Sequence, residues 1–370
     1  MKQKKILFIL HLSPPIHGAA KVGDTILKSK KINQEFDARY IKIKSSITLS
    51  EINKFKVLKL YFFAELFFKV IYQLIMFRPQ LIYYTASPCG LAFYRDLIVS
   101  LPLRFYKFLN KSHIFFHYHL EGINSFATAS KFNSRLTNFF IKDTNLIFIS
   151  KAMVGELEKI KNYRKVFYVH NGIEDTPINE DFNSIWEDKL KSNTINVLYL
   201  SSMIKDKGYH HVLNLAKNVQ QRGREDIKFN FAGAYFSDSD RTYFDNFVIK
   251  NKLKDTVEYL GFINGADKTK LFNNSHLLIF PSKKDVFPLT ILEALSYGIP
   301  ILTFDAGAIT EIVSTKIGLI SNKESLENDF DKFTEEYLNF KACSACRNAF
   351  LDNYTNEIFE KNLIDILNKG

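Results

Sequence analysis

The sequence has few cysteines. Its 370 residues contain three, and two of them, Cys343 and Cys346, form a lone C-x-x-C near the C-terminus. Three cysteines cannot build a disulfide framework, and no second pair is present to complete a zinc site. The thioredoxin-like context that a redox role requires is also missing. We therefore interpret Cys343 and Cys346 as two reduced thiols on a helix.

The sequence also lacks a long uncharged apolar run. Its longest apolar stretch, residues 58–77, is interrupted by Lys59, Glu65 and Lys69. A membrane-spanning helix needs roughly 20 predominantly apolar residues, so none is predicted. The N-terminus, MKQKKILFILHLS, begins like a signal peptide but has no convincing cleavage site. We interpret it as the first buried strand and expect a cytoplasmic protein.

Positive charge is concentrated in the first half of the chain. The formal net charge is +11, of which residues 1–180 carry +14 and residues 181–370 carry −3. Basic surface interleaved with aromatic residues suits RNA, anionic lipid or a pyrophosphate-bearing acceptor. No nucleic-acid-binding motif is present, and the aromatic residues lie in apolar helical runs rather than on spaced strands. We expect no nucleic-acid partner and take an anionic membrane surface, the inner face of the plasma membrane, as the candidate peripheral partner.

One segment is the main candidate for membrane contact. Residues 54–78, KFKVLKLYFFAELFFKVIYQLIMFR, are helical in composition. Four basic residues flank the run: Lys54, Lys56, Lys59 and Arg78. A basic amphipathic helix can dock at a membrane interface, but the same composition is typical of a core helix, and both interpretations stay open. Residues 97–109, LIVSLPLRFYKFL, have the same character and would extend the face.

Apolar runs alternate with amphipathic segments along the whole chain, which predicts an α/β fold. Nine runs are predicted to be buried strands: residues 6–10, 81–84, 114–117, 146–149, 166–169, 196–200, 228–232, 276–280 and 299–304. Helical segments lie between them, as in a doubly wound parallel sheet. A polar stretch, residues 174–193, is the best linker candidate. The sequence therefore predicts two doubly wound domains with a cleft between them.

Residues 281–313, PSKKDVFPLTILEALSYGIPILTFDAGAITEIV, form the most informative stretch of the chain. A buried strand precedes it, and then come a polar loop, a short apolar helix, a second strand and a glycine-containing turn. Ligands of open α/β sheets bind at the carboxyl ends of strands, which is where this loop lies. Asp285 in the loop and Glu293 on the helix are eight positions apart, so both can face one cleft.

This stretch resembles the signature of glycosyltransferase family 4, the group 1 type of glycosyl transferase, whose members are retaining enzymes with the GT-B fold. The matching positions are Pro281-Ser282, the acids Asp285 and Glu293, Gly298-Ile299-Pro300, the turn at 305–307, and Glu311. Two positions depart from the pattern. The first acid is Asp285 rather than a glutamate, and Pro288 replaces a glycine, which removes a backbone N–H that a ligand can use.

The resemblance implies two Rossmann-like, doubly wound domains that face a central cleft. Residues 1–180 would form the acceptor-side domain, which is basic and a candidate for membrane docking. Residues 181–355 would form the nucleotide-sugar-binding domain. The last helix, residues 356–370, would pack back on the first domain.

Several residues of the second half are implied to bind the donor. Glu293 would accept hydrogen bonds from the ribose hydroxyls of a nucleotide sugar. Asp285, with the backbone around Phe287 and Leu289, would hold hydroxyls of the transferred sugar. Lys207, in the family's Lys-Gly pair, would neutralise the diphosphate leaving group.

Three further positions complete the implied donor set: Ser202, Phe262 and Pro288. Ser202 stands where the family usually has an arginine, so Lys207 would carry the positive charge almost alone. Phe262 lies in the turn that resembles the family's nucleobase contact. The implied catalytic residues are His119, Asp285 and Lys207.

The first half is implied to contribute a loop and histidines. Residues 14–20, PPIHGAA, resemble the family's glycine-rich loop that faces the donor phosphates. Gly18 would let backbone N–H groups approach an anion at a helix N-terminus. His117 and His119 end a strand on one face, and His119 matches the family's active-site histidine. His17 and His117 are assigned to the acceptor side.

No metal or other cofactor is expected. Residues 238–240, Asp-Ser-Asp, form a D-x-D string, which marks metal binding in the other large glycosyltransferase fold. This string has no neighbouring histidine or glutamate ligand. The resemblance implies that basic side chains and helix dipoles take the place of a cation.

The implied function is retaining transfer of a sugar from a nucleotide-diphosphate sugar to a glycan or lipid-linked oligosaccharide in bacterial surface polysaccharide biosynthesis. A GT-B sugar-nucleotide epimerase shares the fold, but the pattern from Asp285 to Glu311 fits the transferase better. A hydride-transferring Rossmann enzyme is disfavoured, because IHGAAKVG does not supply G-x-G-x-x-G after the first strand. A non-catalytic nucleotide-sugar-binding or scaffold protein stays open, given Ser202, Asp285 and Pro288.

Overall fold

The computed structural model describes residues 3–14, 17–44, 54–175 and 182–370, with side chains from residue 58 in the third range. The chain divides into two compact units. Unit 1 comprises residues 1–172 and 356–370, and unit 2 comprises residues 173–355. The boundary therefore falls at 172/173, earlier than the predicted position 180. Each unit contains one six-stranded parallel sheet with flanking helices.

The described strands are, in chain order, β1 (Lys4–His11), β2 (Phe36–Ile43), β3 (Leu81–Thr85), β4 (His113–Tyr118), β5 (Asn145–Phe148), β6 (Lys165–Tyr168), β7 (Ile195–Leu200), β8 (Ile227–Ala232), β9 (Val257–Gly261), β10 (Leu277–Phe280), β11 (Ile301–Phe304) and β12 (Gly318–Ser321). The described α-helices are α1 (Gly18–Lys28), α2 (Lys30–Glu35), α3 (Lys54–Met76), α4 (Gly90–Asn110), α5 (Ile123–Thr128), α6 (Lys131–Ile141), α7 (Phe182–Leu190), α8 (Tyr209–Gln221), α9 (Asp238–Lys250), α10 (Gly265–Asn274), α11 (Leu289–Ser296), α12 (Ile309–Ile312), α13 (Leu326–Glu336), α14 (Phe340–Asn353) and α15 (Asn356–Asn368). Short 3-10 helices cover Lys151–Leu157 and Lys205–Lys207.

The sheet of unit 1 has the strand order β2-β1-β3-β4-β5-β6. Because the chain moves outward from β1 to β2 and then reverses, its switch point lies between β1 and β3. The inner strands are almost completely buried, as parallel strands covered on both faces must be. Helix α15 joins this core through four apolar side chains, Phe359, Leu363, Ile366 and Leu367.

The sheet of unit 2 has the strand order β12-β11-β10-β7-β8-β9. Its switch point lies between β7 and β10, because the chain runs from β7 to β9 on one side and from β10 to β12 on the other. The core on one face combines strand residues with α8 and α13, including Tyr199, Phe231 and Phe330. Both switch points lie beside loops that carry predicted site residues.

All nine strands predicted from apolar runs are present, with end positions within two residues of the prediction. Three observed strands were missed: β2, β9 and β12. Each lies at the edge of its sheet, where one side faces solvent and the apolar pattern weakens. The burial of β2 alternates irregularly, and β12 has only four residues. Polar residues within these three edge strands interrupt the apolar pattern, whereas the edge strand β6 keeps enough of it to be predicted.

The predicted linker, residues 174–193, is wrong over its second part. Residues 182–190 form α7, whose Trp186 is fully buried in unit 2. The Trp186 indole donates a hydrogen bond to the carbonyl of Tyr297 at 3.0 Å. One buried face is enough to pack α7 against unit 2. The mostly polar composition of the segment does not indicate this helix. Residues 176–181 of the predicted linker lie outside the described part.

Cys343 and Cys346 lie buried on α14 as free thiols, which confirms their interpretation as reduced thiols on a helix. Burial raises the pKa of the Cys343 thiol to about 12. Such thiols are unreactive at neutral pH because the thiolate is the reactive form.

Among the helices described here, none combines the length and apolar character that crossing a membrane demands. This finding agrees with the sequence, in which charged residues interrupt the longest apolar stretch.

Candidate functional site

Three loops of unit 2 meet at the carboxyl edge of its sheet. They follow β7, β10 and β11 and comprise residues 201–208, 281–288 and 305–308. Lys283 N donates to the carbonyl of Asp206 at 3.0 Å, which joins the first two loops. Ala308 N donates to the carbonyl of Val286 at 2.8 Å, which joins the second and third. The loops therefore form one surface at the switch point, where open α/β sheets bind ligands.

Two glycines permit this close approach. Gly208 has φ +81°, and a Cβ atom there would collide with the backbone carbonyl of Pro281. Gly307 has φ +54°, and a Cβ atom there would collide with the carbonyl of Asp285. A side chain at either position would push the loops apart. The placement of Asp285 thus depends on both glycines.

We expect Gly208→Ala to destabilise unit 2 more than Gly223→Ala does. Both glycines have positive φ, +81° and +74°, so each alanine carries about 1 kcal/mol of backbone strain. Gly223 has open space around its Cβ position, whereas Gly208 meets Pro281. Overpacking should add about 1–3 kcal/mol at Gly208 alone.

The comparison is made by urea denaturation followed through the fluorescence of Trp186, the chain's single tryptophan, which lies in unit 2. Gly223→Ala is the matched control because it has the same backbone requirement without the contact. Equal losses of unfolding free energy in the two variants would contradict the close packing of the loops.

The loops after β7 and β10 place Lys207 against Asp285. The Lys207 ammonium donates to Asp285 Oδ2 at 2.6 Å and to the carbonyl of Lys284 at 2.9 Å. The two side chains are 24% and 20% exposed, so the pair is shielded yet reachable from solvent. Both residues were predicted for the site, but their pairing was not, since 78 positions separate them. The ammonium is held in a fixed position from which it can meet anionic oxygens.

Helix α11 presents Glu293 at the same edge of the sheet. The ammonium of Lys268, on α10, donates to Glu293 Oε2 at 2.6 Å. The side chain of Glu293 is 17% exposed and that of Lys268 is 24% exposed. Lys268 was missed, because no motif distinguishes it from the other helix-surface lysines. The pair orients the Glu293 carboxylate, which is an acceptor suited to hydroxyl groups.

The other predicted donor-side residues of unit 2 lie on loops at the same edge. Ser202 is exposed at the second position after β7, and Phe262 is exposed immediately after β9. Phe287 is buried, Pro288 is the N-cap of α11, and Leu289 is its first residue. Their individual roles in binding stay predictions.

The D-x-D string lies at the start of α9. Ser237 caps this helix by accepting from Asp240 N at 3.2 Å, and the hydroxyl of Tyr209 donates to Asp240 Oδ1 at 3.1 Å. Acids in a first turn are favourable to the helix dipole. Within the described residues, no group of three or more His, Cys, Asp or Glu side chains is placed to hold a metal ion.

Four histidines meet at the carboxyl edge of the sheet of unit 1. His11 ends β1, His117 lies in β4, His119 follows β4, and His17 caps α1. The ring centroids of His117 and His119 are 4.1 Å apart, which confirms that both lie on one face. The rings of His11 and His17 are 5.6 Å apart. His11 was not predicted, because it ends an apolar strand without a motif around it.

Burial keeps these imidazoles neutral. It lowers the pKa of His119 and of His11 to about 3, and it lowers the pKa of His117 well below the ordinary value of 6.5. His117 Nδ1 bonds the hydroxyl of Tyr83. Among the described residues, His117 Nε2, His119 Nδ1 and His11 Nδ1 have no hydrogen-bond partner. Neutral imidazoles with unused nitrogens are suited to bind hydroxyl groups.

We expect the stability of unit 1 to fall as the pH drops below about 6.5, in part because of His119. Its folded pKa of about 3 lies below its unfolded value, so the unfolded chain binds the proton first. The contribution is therefore fully present above pH 6.5 and is lost toward pH 3, by about 1.4 kcal/mol per pH unit.

His119→Asn removes this group, so its unfolding free energy should depend less steeply on pH between 6 and 4 than that of wild type. Denaturant titrations at several pH values measure the difference, with pH 7.5, where both side chains are neutral, as the reference. Identical slopes for the two proteins would show that His119 is not buried in its neutral form.

The described part of the predicted loop before α1 leads into the N-terminus of that helix. Gly18 begins α1 in open space, and His17 Nδ1 accepts from Ala20 N at 3.3 Å as the helix cap. The tight approach is at Gly23, where a Cβ atom would collide with the carbonyl of His11. Pro15 and Ile16 of the predicted loop lie outside the described residues.

An acid network fixes the loop after β3, on the other side of the switch point from His11. Asp96 is completely buried and accepts from the Tyr84 hydroxyl at 2.7 Å, from Ser87 N at 2.8 Å and from Arg95 Nε at 2.7 Å. The sequence analysis did not predict this network. The feature of the sequence that indicates it is the Arg-Asp pair within the otherwise apolar run FYRDLIV.

Comparison with known proteins agrees with this architecture. Residues 181–349 match the family model described as glycosyl transferases group 1. The structure of Anabaena Alr3699/HepE in complex with UDP and glucose superimposes with a TM-score of 0.67 at 16% identity, covering 100% of each chain. The fold is therefore GT-B: an α/β protein with two Rossmann-like units.

The curated proteins that are similar in sequence include two glycosyltransferases. The uncharacterised glycosyltransferase MJ1607 of Methanocaldococcus jannaschii is 24% identical over 230 residues, which is 58% of this chain and 55% of the relative. The capsular polysaccharide biosynthesis glycosyltransferase CapM of Staphylococcus aureus is 24% identical over 203 residues, 52% of this chain and 51% of the relative. The chain thus spans about half the length of the curated relatives it matches.

Proposed function

We propose that this protein is a retaining glycosyltransferase that takes its sugar from a nucleotide-diphosphate sugar. The proposal depends mainly on two ion pairs at the switch point of unit 2, Lys207–Asp285 and Lys268–Glu293. Both lie inside the region that matches the group 1 glycosyl transferase family. The matching fold of Alr3699/HepE, solved with UDP and glucose, supports a nucleotide-sugar donor.

Each group has a distinct task in the proposed transfer. Glu293, whose carboxylate Lys268 orients, accepts hydrogen bonds from the ribose hydroxyls. Lys207 binds the diphosphate, on which negative charge develops as the bond to the sugar breaks. Asp285 both fixes Lys207 and offers its second oxygen to a sugar hydroxyl. Retention follows if the acceptor hydroxyl attacks from the face of the leaving phosphate, which also accepts its proton.

We propose that the reaction needs no divalent metal. The positive charge of Lys207 and the N-terminus of α11 supply the electrostatic stabilisation that a cation provides elsewhere. Turnover that survives prolonged treatment with EDTA would support this assignment, and turnover that returns only on addition of Mg²⁺ or Mn²⁺ would contradict it.

The histidine cluster of unit 1 is proposed to bind sugar hydroxyls. His119 is the active-site histidine of this proposal, with His117 and His17 on the acceptor side and Gly18 at the start of a helix that faces phosphate oxygens. Neutral nitrogens without partners at His119 and His117 support the assignment. Their neutrality at pH 7 means that they orient hydroxyls rather than neutralise phosphate.

The proposed acceptor is a glycan or a lipid-linked oligosaccharide in bacterial surface polysaccharide biosynthesis. CapM, a capsular polysaccharide biosynthesis glycosyltransferase, supports this class. The net charge of +14 over residues 1–180 is suited to an acceptor that carries a pyrophosphate.

A second candidate function is non-catalytic binding of a nucleotide sugar. Two observations favour it: Ser202 is neutral where a second cation would help the leaving group, and the carboxylate of Asp285 is already engaged by Lys207. A binder would protect a nucleotide sugar without releasing a nucleoside diphosphate.

Turnover separates the candidates. The purified protein is incubated with single UDP- and GDP-sugars, with and without lipid-linked oligosaccharide, and release of nucleoside diphosphate is followed together with the anomeric configuration of the product. Acceptor-dependent release with retention supports the proposal. Conversion of the donor to its epimer without release would indicate an epimerase, and binding without either product would indicate the non-catalytic function.

A further inference from the structure

Unit 1 carries an unusual concentration of exposed apolar side chains on two neighbouring helices. Of the 23 large hydrophobic residues that are exposed in the described part of the chain, thirteen lie on α3 and α4. Surface hydrophobic residues scattered singly are normal, but a contiguous apolar patch marks an interaction site.

Each helix has two apolar faces. On α3, the buried side chains Leu66, Val70 and Leu74 recur every four residues and face the core. Four of the seven exposed apolar residues form a separate stripe: Tyr61, Phe68, Tyr72 and Ile75. At 3.6 residues per turn this stripe lies on the side of the helix opposite to the core face. The two interpretations of this helix that the sequence left open, core and interfacial, therefore apply to different faces.

Helix α4 repeats the arrangement. Its buried side chains include Phe93, Val99 and Leu103. Its exposed apolar residues form the opposite stripe: Leu91, Ile98, Leu101, Phe105, Phe108 and Leu109. We call the two exposed stripes together the α3–α4 face.

A groove of about 480 Å³ runs between the two helices. Apolar side chains of both helices line it, among them Ile75 and Phe105, and Arg78 stands in its wall. The α3–α4 face is thus continuous across the two helices rather than being two separate stripes.

The charge around this face is predominantly basic. Lys59, Arg78 and Lys111 are exposed at or near the helix ends, and one exposed acid, Asp143, lies near Lys107 of α4. Two acids occur on the described parts of α3 and α4: Asp96 is completely buried, and Glu65 accepts from Lys44 and Lys69. The side chains of Lys54 and Lys56, also predicted to flank the face, lie outside the described ones.

From this combination we infer that the α3–α4 face binds the surface of an anionic phospholipid bilayer. Aromatic and aliphatic side chains enter the boundary between headgroups and acyl chains, and the basic residues remain at the level of the phosphates. Charge complementarity selects lipid over a second copy of this chain, because pairing two α3–α4 faces would bring their basic residues together. An apolar face with a basic border matches an anionic membrane on both counts.

The experiment measures sedimentation of the full chain with extruded vesicles. One set contains phosphatidylcholine alone, and the other contains phosphatidylcholine with phosphatidylglycerol. We expect binding to the anionic vesicles, weaker binding to the neutral ones, and loss of binding as salt is raised. No sugar donor is present, so the result is independent of whether the protein transfers sugar.

The apolar contribution is tested with Phe68→Ser, Ile75→Ser and Phe105→Ser combined. We expect the partition onto anionic vesicles to fall at least about tenfold, since each residue loses a buried apolar side chain. The matched control combines Ile249→Ser and Leu351→Ser, which remove exposed apolar side chains from α9 and α14 in unit 2. It should bind like wild type. Circular dichroism and melting temperature verify that both variants are folded.

The electrostatic contribution is tested with Lys111→Gln, expected to weaken binding about fivefold. Its control is Lys252→Gln in unit 2, because both lysines are exposed and have positive φ, 51° and 56°. Absence of wild-type binding to anionic vesicles, or equal binding by the serine variant, would overturn the inference. A wild-type dimer that the serine substitutions dissociate, without vesicle binding, would identify the face as a contact between copies instead.

Discussion

Glu293→Gln is expected to raise the KM for the nucleotide sugar by about 30-fold or more. Glutamine keeps the shape of the side chain but replaces one acceptor oxygen with a donor, and its remaining oxygen is neutral. Hydrogen bonds to a charged acceptor contribute about 1.5–3 kcal/mol each, and about 2 kcal/mol corresponds to 30-fold in affinity. The ion pair with Lys268 is lost as well, which frees the side chain to leave its binding orientation.

The control is Glu327→Gln. Glu327 is also a glutamate of unit 2 that accepts a side-chain hydrogen bond, from Asn218 at 2.7 Å, and it lies close to Arg222. It is not at the switch point, so its replacement should leave KM unchanged. A KM for Glu293→Gln within twofold of wild type, in a variant with an unchanged melting temperature, would remove Glu293 from the donor site.

Lys207→Ala is expected to lower kcat by about 10²–10³-fold with a smaller change in KM. Negative charge grows on the leaving diphosphate in the transition state, and removal of one fixed group that stabilises such charge has an effect of this size. With Ser202 neutral, the loop after β7 offers no second cation at the family's usual position. Lys207→Arg should recover part of the rate, because it restores the charge with a different geometry.

Two further variants separate charge from structure. Lys284→Ala removes a neighbouring ammonium that pairs with Asp206 at 3.0 Å on the exposed side of the same loops, and it should keep near-normal kcat. Asp285→Asn keeps the Lys207 ammonium but removes the negative charge that holds it in position, so kcat should fall. Combining Lys207→Ala with Asp285→Asn should lower kcat little further. Equal reductions of kcat in Lys207→Ala and Lys284→Ala would show that the overall positive potential of the loops, rather than Lys207 itself, promotes the reaction.

The fold could be predicted from the sequence wherever a strand is buried on both faces. Runs such as HLLIF and ILTF are apolar throughout because helices cover both sides of the sheet. The edge strands β2, β9 and β12 could not be predicted in this way, because polar residues interrupt their apolar pattern. Helix α7 was hidden for a related reason: Trp186 holds it in the core while the sequence around it is polar.

The candidate site could be predicted as a set of positions but not as an arrangement. Motif residues gave Asp285, Glu293 and Lys207, whereas their partners depend on distant chain segments that the fold brings together. Lys268 reaches Glu293 from another helix, and nothing in its local sequence indicates this. The neutral state of His119 likewise follows from burial, which only the packed structure determines.

The most direct measurement is a thermal-shift panel on wild type and Glu293→Gln with UDP, GDP, ADP, CMP and the corresponding nucleotide sugars. A site for the donor diphosphate at the carboxyl edge of the second sheet predicts that one nucleoside diphosphate raises the melting temperature of wild type. The same compound should give a much smaller rise in Glu293→Gln, because binding stabilises only the folded state that holds the ligand. If no nucleotide shifts the wild-type transition, or if the shift is unchanged in Glu293→Gln, the donor site is not where the loops after β7, β10 and β11 meet.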